Sequence, residues 1–280
     1  MMKNVIIFSI AKKEVIDNIR NKWIIIISII FALLALLASY AGSIYSEGWQ
    51  DLGTTIAIML SLVQLLVPII ALMLGYAAVI GETERGSMSS LLSLPTTRLE
   101  IILGKFFGLG SIISLTILIG FGIAGIIISM NVSDVNYIDY LIFIGATILI
   151  GLAFLTLALF LSCLFKKRST AMGGAIFSWF LFVVLWGLIM SGLLIASGAS
   201  IEGLLSGSLP DWYYAIQLFN PISVYSSLVS LNVGPVSATQ QGFPISYPSF
   251  YSSELMLLIL IVWIVLFLFL AFWKFSRSDI

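Results

Sequence analysis

Residues 81–105, GETERGSMSSLLSLPTTRLEIILGK, lie between two long apolar runs and hold the densest charge in the interior of the chain. Glu82, Glu84, Arg85, Arg98, Glu100 and Lys105 all fall here, in a sequence of which only 9% is charged. Glu82 and Glu84 stand where a short helix over 82–94 would begin, and carboxylates there complement the exposed amides and dipole of a helix N-terminus. Met88, Leu91 and Leu92 share one side of that helix, with Ser87, Ser90 and Ser93 interspersed. Pro95 pushes Leu94 away from helical geometry and ends it. Thr97-Arg98-Leu99-Glu100 then fits a capping box, with Thr97 as cap and Glu100 reaching back, to open the next helix. The order is span, short helix, sharp break, capped span. Two readings of the segment stand on physics alone: a charged connector, or a stiff projection on which a soluble partner can push.

The rest of the chain says what that segment interrupts. Of its 280 residues 60% are hydrophobic, and its mean hydropathy is +1.15. An ordinary globular chain is about 45–50% apolar and about 25% charged. The apolar residues come in long blocks, so an integral membrane protein is expected. Six spans, each needing about 20 apolar residues, are expected near 23–41, 55–80, 104–130, 138–163, 171–197 and 255–273. Pro68 and Gly75 in the second span predict a kink or loosened turn there. Gly104, Gly108, Gly120 and Ala124 in the third are small residues that let helices approach closely. The N-terminus does not read as a cleaved signal peptide, because a long mixed segment precedes the first apolar run.

Charge placement gives the orientation. The 13 lysines and arginines fall in four clusters, at 3–22, 85–105, 166–168 and 274–277. With six spans, all four lie on one side, and the only charged residues of the connections on the other side are acidic. Cytoplasmic loops concentrate Lys and Arg, so both termini and the 81–98 segment are expected inside, in a multi-pass protein of the cell membrane.

Two further regions flank the spans. In 1–22, Phe8, Ala11, Val15, Ile19 and Trp23 recur at helical spacing, while Lys13, Asp17 and Arg20 fall on another side, as in a helix lying in the membrane interface. A solvated basic leader that only fixes topology is the alternative. The outer connection, 198–253, is rich in Gly, Ser, Pro and aromatics. Around Trp212–Pro221 it reads either as helix lying at or dipping into the outer interface or as an ordered lid over the bundle.

Catalytic chemistry has little to work with. Apart from Lys105 and Asp139 at their ends, the expected spans carry no Asp, Glu, Lys, Arg or His. The chain has no histidine at all and one cysteine, Cys163, which removes the usual proton shuttle and the commonest metal ligand. Gly104-Lys105 is not the end of a phosphate loop, because that motif needs Gly five residues before and Ser or Thr after, where Leu99 and Phe106 stand. Any transport must draw its energy from another polypeptide.

Gly81-Glu82-Thr83-Glu84 with Gly86, then Leu91-Leu92-Ser93-Leu94-Pro95, Arg98 and Gly104-Lys105 resemble the signature of ABC-2-type permeases, the membrane subunits of ATP-binding-cassette exporters. Lys12-Lys13-Glu14, Arg20, Trp23 and Leu66–Leu72 are similar to the NosY-type branch, whose best-known member serves nitrous-oxide reductase maturation. The resemblance implies an all-α, polytopic half-transporter forming a single transmembrane permease domain over 1–280. It would have about six transmembrane helices, an N-terminal interfacial helix, a cytoplasmic coupling helix and short outer helices between the last two spans.

By the same resemblance, Glu82, Glu84, Arg85, Gly86, Met88, Leu91, Leu92, Pro95 and Arg98 would couple to the ATPase. Lys12, Lys13, Glu14, Arg20 and Trp23 would belong to the interfacial helix, and Pro68 and Gly75 to a kink or gate. Lys166-Lys167-Arg168 would be a topology anchor rather than a second inner contact. Two copies would pair with two ATPase subunits that bind the ATP and Mg, with no cofactor or metal on this chain and no nucleic acid involved. Membrane lipid, and an extracytoplasmic partner at 198–253, are further expected contacts. Two other functions stay open: a maturation permease moving a sulfur or copper species, and a membrane anchor that transports nothing. The lack of His and of any Met or Cys cluster argues against direct copper handling.

Overall fold

The structure, a computed structural model, describes residues 2–19, 52–93, 95–131, 137–198, 209–233 and 247–278, with isolated residues between 29 and 40. All regular structure among the described residues is helical. The helices are α1 (Met2–Ile19), α2 (Leu52–Gly75), α3 (Ile80–Glu84), α4 (Ser87–Leu92), α5 (Arg98–Asn131) and α6 (Tyr137–Leu164). They continue with α7 (Arg168–Phe180), a π-helical segment (Leu181–Leu185), α8 (Trp186–Ala196), α9 (Asp211–Gln217), α10 (Pro221–Val233) and α11 (Ser253–Ser276).

Five described stretches are long and apolar enough to cross a membrane: Met59–Glu84, Arg98–Ile126, Tyr137–Leu164, Arg168–Ala196 and Ser253–Ser276. The expected span at 23–41 lies mostly outside the described residues, as do Arg20 and Trp23. Helix α6 is the hub. Its most apolar stretch is 67% buried, against 11% for Arg168–Ala196, and it packs against α2, α5, α10 and α11.

Helix α1 lies along α5 because two glycines of α5 leave room for it. A Cβ at Gly104 would stand 2.7 Å from the Ile10 side chain, and one at Gly108 would stand 2.7 Å from Glu14 Cβ. Only glycine allows the backbones this close, so the small-residue spacing read in the third span serves the N-terminal helix. The buried side of α1 therefore runs through Ile10 and Glu14, whereas Phe8, expected in the apolar stripe with Ala11 and Val15, is 71% exposed. One flank of α1 packs on α5 and another presents Phe8 and Ile16 outward.

Helix α2 runs unbroken through Pro68 and ends at Gly75, after which residues 76–79 turn into α3. Proline deprives its own turn of a donor, and beside it Trp179 Nε1 donates to the Leu65 carbonyl at 3.0 Å.

The outer connection enters the bundle. Helices α9 and α10 form a hairpin whose tip, Leu218–Asn220, meets the middle of the Arg168–Ala196 stretch, where Asn220 Nδ2 donates to the Phe182 carbonyl at 3.0 Å. Halfway back, the Tyr225 hydroxyl lies 3.0 Å from Thr147 Oγ1, roughly 15 Å along α6 from its start at 1.5 Å per residue. At the far end Asn232 Nδ2 donates to Ser253 Oγ at 3.0 Å, where α11 begins. Helix α10 is therefore packed against α6 and α11.

Candidate functional site

The segment after α2 is two short helices, not the single helix expected over 82–94. Gly86 separates them with φ 72°, in the left-handed region that only glycine enters without cost. Helix α4 stops at Leu92 with Ser93 as its cap, and the Thr96 hydroxyl donates to the Leu91 carbonyl at 3.2 Å. The capping box forms as the sequence predicts: Thr97 N donates to Glu100 Oε2 at 2.7 Å and Glu100 N to Thr97 Oγ1 at 3.3 Å.

Around this segment the structure assembles a charge cluster from three elements. Lys105, on α5 and 1% exposed, places its ammonium 2.6 Å from Glu14 Oε1 of α1 and 2.9 Å from Glu82 Oε2 of α3. The first contact is a hydrogen bond. The second is a charge contact whose angles fall outside hydrogen bonding, leaving Glu82 Oε2 with spare acceptor capacity. Lys13 closes the cluster by donating to Glu82 Oε1 at 2.8 Å. Two lysines thus balance two carboxylates, which a largely buried group of charges requires. Burial works against the Lys13 charge, but the Glu82 hydrogen bond and the charges of Glu82, Glu14 and Asp17 outweigh it and raise its pKa.

Three more contacts tie the segment down. Ser162 of α6 accepts from Val79 N at 3.0 Å and Ile80 N at 3.1 Å, supplying from a distant helix the cap that α3 lacks locally. Glu84 Oε1 accepts from Arg168 N at 2.8 Å, a carboxylate at the N-terminus of α7. The Arg168 guanidinium donates to the Tyr76 hydroxyl at 3.1 Å and lies over that ring. Arg168 therefore joins the start of α7 to α3 and to the turn after α2. Arg98 reaches across to α11, donating to the Phe275 carbonyl and, at 2.8 Å, to that of Ser278. Its positive charge sits at a helix C-terminus, the favourable end of the dipole.

The sequence-derived coupling residues divide into two sets. Glu82 and Met88 face inward, Met88 being wholly buried, and Leu91 is half-buried. Glu84, Arg85, Gly86 and Pro95 are exposed. Leu92 ends α4, and Arg98 belongs to the link with α11. Lys12 is exposed on α1, while Lys13 and Glu14 serve the charge cluster. Sequence reasoning missed Ser162 and the pairing of Lys105 with Glu14. Neither leaves a local signal, although a lysine placed just inside an apolar span calls for a buried partner.

A second constellation lies at mid-membrane. The π-helical turn at Leu181–Leu185 widens the Arg168–Ala196 stretch, and such turns are rare and frequent at functional sites. Phe182 offers its carbonyl to Asn220, whose Oδ1 accepts from Ile222 N at 2.9 Å. Gln217 Oε1 accepts from Trp186 Nε1 at 2.9 Å and from Ser223 Oγ at 2.6 Å. The Phe182 ring sits among Phe154, Trp186 and Trp263. Among the described residues no three His, Cys, Asp or Glu side chains group to hold a metal.

A multi-pass helical protein with an anchored double helix at its basic face and a hairpin entering from the other side has the architecture of a transporter's membrane subunit. The family model described as ABC-2 family transporter protein matches residues 8–280, and the chain belongs to that family. It is 35% identical over 281 residues to the probable ABC transporter permease protein NosY of Pseudomonas aeruginosa, covering 98% of this chain and 99% of that protein. The protein of the same name from Stutzerimonas stutzeri is also 35% identical, over 278 residues, covering 97% and 98%. The chain is thus a membrane-embedded ABC permease subunit rather than an enzyme, and its family implies an ABC ATPase as partner.

Proposed function

We propose that this chain forms the membrane path of an exporter, moving a substrate out of the cytoplasm with ATP and Mg bound and hydrolysed on a separate ATPase. Two copies of the chain pair with two ATPase subunits in the cell membrane, both termini in the cytoplasm. The double helix α3–α4 is the coupling element: the ATPase takes hold of the exposed turn around Arg85–Gly86 and of Pro95. Pro68, Gly75 and the hairpin α9–α10 give way as the path opens. One observation carries this reading. Residues 79–98 are bonded to α1, α5, α6, α7 and α11 while their central turn stays exposed. A connector that only joined two spans would need no such ties.

Co-purification of the ATPase with the tagged permease tests the coupling element. Replacing Glu84 and Arg85 together by alanine is expected to weaken capture while the protein still inserts, and undiminished capture would refute the assignment. Single cysteines at Ser87 and at Ser249, labelled in intact cells with a membrane-impermeant reagent, test the orientation: only the second should react.

The full-length likeness to two NosY proteins supports a narrower second reading, a permease in metalloenzyme maturation that moves a sulfur species. Deleting the gene and assaying for a mature copper enzyme checks it; normal maturation would exclude it. A non-transporting anchor is excluded if ATPase activity in reconstituted vesicles rises when candidate substrates are added.

A further inference from the structure

Beside the charge cluster lies a cleft of about 550 Å³ between α1, α2, α3 and α5. Its two halves differ in chemistry. One wall is apolar, formed by Ile70 and Met73 of α2 and by Leu109 and Ile112 of α5. Leu109 and Ile112 stand roughly 6 and 10 Å beyond Lys105 along α5, at 1.5 Å per residue, so this wall rises from the charged level into the bilayer. Met73 is 52% exposed, which leaves the apolar half open at the side.

The other half is charged, and the ion pairs leave a remainder. Glu14 and Glu82 line the cleft but are matched by Lys105 and Lys13. Arg85 and Arg168 line it too, and among the described residues neither guanidinium meets a carboxylate. Arg168 is held by the Tyr76 hydroxyl, a neutral partner. Asp17, on the last turn of α1, lines the same cleft and is exposed, and among the described residues it makes no direct ion pair. Two guanidinium groups suit a phosphodiester, because the planar fork matches its oxygens. The exposed Asp17 carboxylate on the same cleft suits an ammonium. Phosphate and ammonium joined through a two-carbon ethanol link, beside an apolar wall that enters the bilayer, describe one molecule.

We propose that the cleft binds a phospholipid with an ethanolamine headgroup, its phosphate on Arg85 and Arg168, its ammonium on Asp17, and its acyl chains along Ile70, Met73 and Ile112. The site draws on the leaflet at the basic face; that this is the cytoplasmic leaflet rests on the orientation proposed above. The lipid fills the gap between α1 and the turn that follows α2, next to the coupling element.

The test uses the full-length chain, purified in detergent and delipidated. Native mass spectrometry follows its titration with palmitoyl-oleoyl phosphatidylethanolamine, the phosphatidylglycerol of the same chains, or inorganic phosphate. One ethanolamine lipid per chain is expected, held about tenfold more tightly than the glycerol lipid, the factor that about 1.4 kcal/mol of charge-assisted bonding provides. Asp17→Asn, at an exposed position, should abolish that preference while still binding both lipids. Arg168→Gln should weaken both. Equal binding of the two lipids by the unaltered chain, an unchanged preference in Asp17→Asn, or displacement of the lipid by phosphate alone would each overturn the proposal. Binding in detergent does not depend on topology, so a failure here is distinct from a failure of the orientation, which the cysteine labelling reads separately.

Discussion

The Lys105 ammonium and the Glu14 carboxylate meet at 2.6 Å in the interior, 91 residues apart in sequence. Both are nearly sealed from solvent, and Glu82 shares the same ammonium. Removing one partner of a buried pair leaves an uncompensated charge, which costs about 3–5 kcal/mol, whereas removing all the charges together is often neutral. Lys105→Met should therefore lower the melting temperature of the detergent-purified protein sharply. Adding Glu14→Gln and Glu82→Gln should restore most of the loss. A single variant as stable as the parent would mean that the cluster does not hold α1, α3 and α5 together.

The Lys13–Glu82 contact gives that cluster a pH dependence. Lys13 titrates above its ordinary value of 10.5 in the folded protein, so its contribution is complete below 10.5 and is lost as pH rises through the higher folded value. Thermal melts between neutral pH and strongly alkaline pH should show a late fall in stability that is smaller in Lys13→Gln. Identical alkaline limbs for the two proteins would remove Lys13 from the cluster's energetics.

The turn proposed to meet the ATPase depends on one backbone conformation. Gly86 has φ 72°, and nothing lies within 4 Å of where its Cβ would stand, so any cost of substitution is torsional and not steric. Left-handed geometry costs a residue with a side chain about 1–2 kcal/mol, more for a β-branched one, and least for asparagine. ATPase capture should fall in the order Gly86, Asn, Ala, Val. Equal capture by Gly86→Val would show that the turn's shape is irrelevant to docking.

Asn220 is 2% exposed and ties the hairpin tip to the π-helical turn through its bond to the Phe182 carbonyl. In Asn220→Ala the Phe182 carbonyl loses this partner, at a cost of about 1–3 kcal/mol for a buried group. Hydrogen exchange at Leu181–Leu185 should quicken, with little change at the capping box of α5. Unchanged exchange at 181–185 would mean that the hairpin does not steady that turn.

How much of this could be read beforehand follows the range of each interaction. The capping box at Thr97 and Glu100, and the stop before Pro95, are contacts within a few residues, and the residue types announce them. The crossings described are legible because each is a long apolar run. The break at Gly86 was available in principle, since glycine marks breaks, but the apolar side shared by Met88, Leu91 and Leu92 suggested one continuous helix. Met88 is buried in the chain's own core instead. Ser162 capping α3 from 83 residues away is invisible in sequence: a serine in an apolar span can bond its own helix equally well. The π-helical turn is hidden for a similar reason, because Leu-Phe-Val-Val-Leu is as suited to an α-helix. The contact made there comes from Asn220, on another element.

The Arg98 bonds to the carbonyls of Phe275 and Ser278 add a last consequence. Together with the Lys105 cluster and the Ser162 cap, they fasten the start, the middle and the final helix of the chain to one another at the basic face. If the ATPase seats at Arg85–Gly86 as proposed, a push there meets a braced frame, and movement is left to the parts proposed to yield: Pro68, Gly75 and the hairpin that reaches Phe182.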